Sequence, residues 1–293
     1  MPACNGPAKS MIGAMLHDIK VSLTPLLVFL WLPLAASAEH AASLDRGYRL
    51  MYNLQFDAAQ REFIGTQREH PTDPLGPVSE AANQIFSEFE RLGVLEAQFF
   101  VKDASFRSRK KLLPDPELRA RFDAALSRAE ALARQRLLED GENPDSLFAL
   151  ALVHGLRADY AALVEKRSMA ALRYTRQASE FGSRLLAVAP GYYDAYLSTG
   201  IAKYIVGSMT APLRWVLRLA GYAADKEQGL KELELTAENG RFLAPFARIL
   251  LAIAFLRDNN RAQAREILLG LRDDFPSNPL FAREIARLDG AIN

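Results

Sequence analysis

Four residues and the intervals between them do most to limit how this chain can fold. Gly47, Ala59, Phe63 and Pro71 are separated by 12, 4 and 8 residues, and Ala252, Ala264, Leu268 and Pro276 repeat the same three intervals. Each copy ends on one phrase, HPTDPLG at 70–76 and FPSNPLF at 275–281. A small residue on a first helix permits close approach of a second. A small and then a large apolar residue on that second helix fill the gap, and the proline closes the hairpin where no further amide bond is needed.

The rest of the chain has helical periodicity. From Leu118 to Leu137 the apolar side chains Leu118, Phe122, Ala125, Leu126, Ala129, Leu132, Ala133 and Leu137 recur at three- and four-residue steps, with Arg119, Arg121, Arg128 and Glu130 on the other face. The stretch LAPFARILLAIAFL (243–256) is apolar nearly all round, which predicts a helix covered on several sides. No run alternates with period two for long enough to propose a sheet. Turn formers cluster at 70–74, 112–117, 139–145, 188–194, 238–242, 257–261 and 275–279, and Asp, Ser or Asn in them is placed to cap the next helix. Short loops between helices of this length imply antiparallel neighbours.

Other copies of the unit are worn. Ala178 and Pro190 keep the twelve-residue interval, but Gly182 stands where the large residue belongs. Small residues follow four turns by ten: Ala81, Ala151, Gly200 and Ala286. Between Gly200 and Leu230 the pattern fails, because Pro212 and Gly221 interrupt the expected second helix. The segment 279–290 reads as a lone first-type helix that would cap the stack. These intervals resemble the tetratricopeptide-repeat family, a helix-turn-helix unit of about 34 residues. The resemblance implies an all-α fold, an α-solenoid of antiparallel helical hairpins. GVLEAQFF, ADYAALVEKR, DAYLSTGIAKYIVGS, DKEQGLKELELTAENGRFLAPFARILLA and DDFPSNPLFAREIARL are similar to stretches of exported bacterial proteins of that family. No catalytic or ligand residues come with the likeness.

The N-terminus reads as a targeting segment. Lys9 and Lys20 precede eighteen uncharged residues ending in Ala36-Ser37-Ala38, the basic, apolar and small-x-small parts of a secretory signal peptide. Residues 1–38 are expected to be removed, leaving a repeat domain over 39–293 that is exported and periplasmic. An uncleaved membrane anchor is the alternative, although Pro25 and Pro33 break the apolar run. Cleavage would remove Cys4, the only cysteine, so the remaining chain forms no disulfide and holds no thiolate. It would leave 34 basic and 34 acidic side chains, a balance that argues against a nucleic-acid partner.

Motifs of chemistry are missing. There is no HExxH, GxSxG, GxxxxGKS/T or GxGxxG. His70 is a turn residue and His154 lies on an amphipathic helix. The paired carboxylates Asp273-Asp274 and Glu139-Asp140 stand at helix exits. The sequence therefore predicts no catalytic residue, no metal site and no cofactor. It predicts a scaffold for a protein or peptide partner, bound on a concave surface that includes Tyr48, Met51, Tyr52, Ile201, Tyr204, Ile253 and Leu256. An alternative is a membrane-associated assembly or lipid-handling role for 208–220, where Trp215 would anchor between Arg214 and Arg218; the same segment also reads as a gate over a groove or as a packed connector. The basic run Arg107, Arg109, Lys110 and Lys111 reads as a solvated loop.

Overall fold

In the computed structural model the described residues are 32–96 and 113–290. Their order is α1 Leu32–Tyr52, α2 Phe56–Glu69, α3 Leu75–Arg91, α4 Pro116–Glu139, α5 Pro144–Leu163, α6 Ser168–Val188, a 3₁₀ turn Tyr193–Ala195, α7 Tyr196–Gly207, α8 Ala211–Leu219, α9 Lys226–Asn239, α10 Ala244–Arg257, α11 Arg261–Asp274 and α12 Pro279–Leu288. Contacts divide the chain into two units, Met1–Glu39 and His40–Asn293. The second holds every element named here except the start of α1. The run 107–111 and the first 31 residues lie outside the described residues.

Among the described residues there is no strand, and the turn clusters at 70–74, 139–145, 188–194, 238–242, 257–261 and 275–279 fall at the junctions between helices. The caps are those the sequence offers. Asp115 accepts from Glu117 N and Leu118 N, Asn143 from Ser146 N, and Asn278 from Leu280 N, each with proline at the first helical position. Asp225 and Asn260 accept from Gln228 N and Gln263 N in the same way. Successive helices pack as hairpins, and first helices of neighbouring hairpins also touch, α3 with α5 and α5 with α7.

The interval code has a direct physical meaning. A Cβ on Gly47 would lie 2.4 Å from Phe63 Cε1, so the glycine is what lets α1 lie down on that ring. Ala252, Ala264 and Leu268 are buried in the corresponding hairpin of α10 and α11. Gly182, out of place in the pattern, proves to be crowded by the next unit. A Cβ there would meet Ser198 Oγ at 2.0 Å and the Ala195 carbonyl at 3.2 Å. The 3₁₀ turn brings α7 so near α6 that no large residue fits.

The expected break after Gly200 is an insertion. Helix α8 and its loops are spliced in, and the second helix of that hairpin is α9. Gly229 takes the small position and Leu233, four residues on, takes the large one and is buried. A Cβ on Gly200 would stand 2.9 Å from the Gly229 carbonyl, which marks a backbone-to-backbone crossing.

The end of α1 meets the far end of the chain. Tyr52 Oη donates to the Phe242 carbonyl (3.0 Å), Asn278 Nδ2 donates to the Tyr52 carbonyl (2.8 Å) and Ser277 N donates to Asn53 Oδ1 (3.1 Å). Two residues of the second Pro-x-x-Pro phrase thus bind the loop that opens the first hairpin.

Candidate functional site

First helices supply the inner surface, and there the stack closes around a pocket of about 80 Å³. α1 contributes Tyr48, Met51 and Tyr52, and α3 contributes Ala82 and Phe86. A stripe of α5 adds Phe148, Leu152, Gly155 and Asp159, α7 adds Leu197 and Ile201, and α10 adds Phe246. Four of the residues named from sequence, Tyr48, Met51, Tyr52 and Ile201, therefore meet on one wall system. Tyr204, Ile253 and Leu256 do not reach it.

The expected open concave surface needs correcting at Tyr48, Met51, Tyr52 and Ile253, which are buried. Tyr48 packs edge-on against Phe63 at 5.5 Å between centroids and against Phe242 at 5.0 Å. Its hydroxyl accepts from Ser79 Oγ at 3.1 Å. Burial holds the Tyr48 and Tyr52 hydroxyls above the usual tyrosine range, so both are neutral at any ordinary pH. Aromatic stacking between the first and last hairpins has filled the surface that a peptide would need.

Two carboxyls face this pocket and differ in what holds them. Asp194 accepts from the backbone N–H groups of Arg241 (3.0 Å), Phe242 (3.1 Å) and Leu243 (2.8 Å). Burial nevertheless raises its pKa above the usual carboxylate range, outweighing those donors and Arg241. Asp159 forms no hydrogen bond or ion pair with any described residue. The residue is half-buried, and desolvation of its carboxyl is what pushes it up to about 7. The sequence contained Asp159 only as one acid on an amphipathic helix, and the signal that would have found it is its place on the stripe with Phe148, Leu152 and Gly155.

The inserted helix α8 is a second candidate. Leu213, Trp215, Val216 and Leu219 are 48%, 65%, 54% and 70% exposed, while Leu217 alone is buried, against Val206 and Ala224. Arg214 and Arg218 are not the free flanks that the sequence suggested. Arg214 donates to the Gly207 carbonyl (3.1 Å), closing the end of α7, and Arg218 donates to the Ala224 carbonyl (2.5 Å). Both guanidiniums fasten the helix down and leave its apolar side chains outward. Beside it, sharing Val206 and Tyr222, runs a groove of about 430 Å³ lined by Thr175, Arg176, Ser179, Glu180, Ser183 and Arg184.

The residues weighed for chemistry have structural partners. His154 is buried and stacks on Phe181 at 5.5 Å, and burial, then Arg157, lowers its pKa to about 4. Asp273 pairs with Arg272 and Asp274 with Arg248, each at a helix exit. No group of three His, Cys, Asp or Glu among the described residues could hold a metal ion. No helix among them is long and apolar enough to cross a membrane.

Sequential antiparallel hairpins, with first helices inward and a last helix closing the described stack, define an all-α helical-repeat solenoid. Among solved structures the chain is similar to a thermophilic TPR protein from Thermus thermophilus, with 16% identity and a TM-score of 0.43, over 85% of this chain and 98% of that one. No family model matches, and no curated protein matches.

Proposed function

We propose that the chain is an exported, non-catalytic scaffold whose partner is a protein or peptide bound at α8 and its neighbouring groove. The observation that carries this is the set of four large apolar side chains held outward on one nine-residue helix. Scattered apolar residues on a surface need no explanation, but a contiguous set around a tryptophan is the composition of an interface centre. The groove beside it supplies hydroxyls, Glu180 and two arginines, a polar rim next to an apolar anchor. The inner face, filled by Tyr48, Met51 and Tyr52, offers much less room.

A photo-crosslinking residue at 215 or 219 is expected to give one discrete protein adduct in the producing cells. The same residue at exposed Arg128 on α4 is expected to give none. Equal labelling at all three positions would remove the reading. A lipid surface is the second reading, favoured by the exposed tryptophan on a short amphipathic helix. The arginines that would contact headgroups are already bound to backbone carbonyls, which weighs against it. Flotation with anionic vesicles that Trp215→Ala abolishes would favour it instead.

Export rests on the sequence of residues 1–38 alone. The intact mass of protein from the periplasmic fraction is expected to correspond to a chain starting at Glu39. A full-length mass in the membrane fraction would mean an anchor.

A further inference from the structure

We propose that the inner pocket is a binding site for a small apolar ammonium compound, seated with its charged end on Asp159. The walls are Phe86, Phe148, Leu152, Leu156 and Phe246, and no lysine, arginine or histidine lines the space. Every other titratable group there is committed. Asp194 is taken by three backbone N–H groups, Tyr48 Oη accepts from Ser79, and Tyr52 Oη donates to Phe242. α3, α6, α7 and α10 bring no titratable side chain to the pocket. Asp159 is thus the one charge-bearing group in it without a partner among the described residues.

Asp159 is half-buried, so water reaches part of its carboxylate, and the share that faces the apolar walls is relieved best by a proton or by a cation. The proton is held loosely near neutrality, because the Asp159 carboxyl titrates at about 7. An ammonium group displaces it, and five aromatic rings around the space suit a cation further. An anionic ligand would meet two carboxyls and no counter-charge. The volume sets the size. About 80 Å³ corresponds to roughly half a dozen water-sized positions, room for a short alkyl or aryl chain and too little for a peptide segment.

The ammonium requires the ionised carboxyl, whose fraction falls as pH drops through about 7. Affinity is therefore full above that value and declines below it, by roughly 100-fold between pH 8 and pH 5. The amine stays protonated across this range.

The probe is n-pentylammonium, titrated calorimetrically into the full-length protein, with 1-pentanol and pentanoate as comparators. Binding at pH 8 that exceeds pentanol at least tenfold, weakens toward pH 5 and is lost to Asp159→Asn is the expected result. Gly155 provides an independent variant. Nothing lies within 4 Å of a Cβ built there, so Gly155→Leu projects into the pocket, and Gly155→Ala does so less. Both are expected to fold, as judged by unfolding midpoint, and to weaken pentylammonium binding in the order Leu more than Ala. Equal binding of pentanol and pentylammonium, binding undiminished in Asp159→Asn, or no heat at about 10 mM ligand would each overturn the proposal.

Discussion

Asparagine at position 194 is expected to lower the free energy of unfolding by about 3 kcal/mol, measured by urea titration at pH 7. The carboxyl sits in the 3₁₀ turn, and its three donors are the N–H groups of Arg241, Phe242 and Leu243. Those groups lie in the loop that leads into α10 and have no helical acceptor of their own. Asp194 therefore pins a loop some fifty residues further along the chain. Because burial raises the Asp194 pKa, the charge itself gains little from being inside. The loss on substitution is that of the orphaned backbone. Asn keeps one oxygen and turns an amide N–H₂ toward one of the donors, so at least one N–H is left facing another. The effect extends to the pocket, since the same segment places Phe242 against Tyr48 and Leu243 in the wall. Pentylammonium binding is expected to weaken along with stability. A loss under about 1 kcal/mol would mean that water takes over as acceptor.

The fold was legible where packing is written in intervals within one or two hairpins. Gly47 and Phe63 are sixteen residues apart, and size complementarity between adjacent helices leaves a trace at that range. The caps Asp115, Asn143 and Asn278 could be read because they act on the next few amides. The closure of the first hairpin onto residues 241–243 and 275–278 left no such trace. Tyr52 and Phe242 are 190 positions apart, and neither residue carries a mark of its partner. For that reason Tyr48, Met51 and Tyr52 read as an open surface when they are the filling of a closed one. The bonds of the α8 arginines were hidden for a related reason. Arg214 and Arg218 look like a basic face by periodicity, and nothing in that pattern shows that the carbonyls of Gly207 and Ala224 accept from them. Asp159 has no local partner at all, and a missing interaction is not something a sequence displays.

The crossing of α7 and α9 shows how far the glycine code can be pressed. Gly229→Ala is expected to destabilise the protein by about 3 kcal/mol, although alanine favours an isolated helix over glycine by about 1 kcal/mol. A Cβ at 229 would lie 2.6 Å from Tyr204 N, 2.7 Å from the Gly200 carbonyl and 3.0 Å from Tyr204 Cα. All three are backbone atoms of a helix, so no side chain can swing aside and the two axes must part. Parting them strains the neighbouring polar contact, in which Lys203 of α7 donates to the buried Glu232 of α9. Separation would leave that carboxylate underpaired at added cost. Gly155→Ala supplies the opposite sign in the same protein, with no atom within 4 Å and the helix preference uncompensated. It is expected to be neutral or to stabilise by up to about 1 kcal/mol. The contrast isolates close approach from glycine content. If Gly229→Ala matched Gly155→Ala in its unfolding midpoint, α9 would not be the second helix of that hairpin, and α8 would have to be the interrupted member of the repeat rather than an insertion into it.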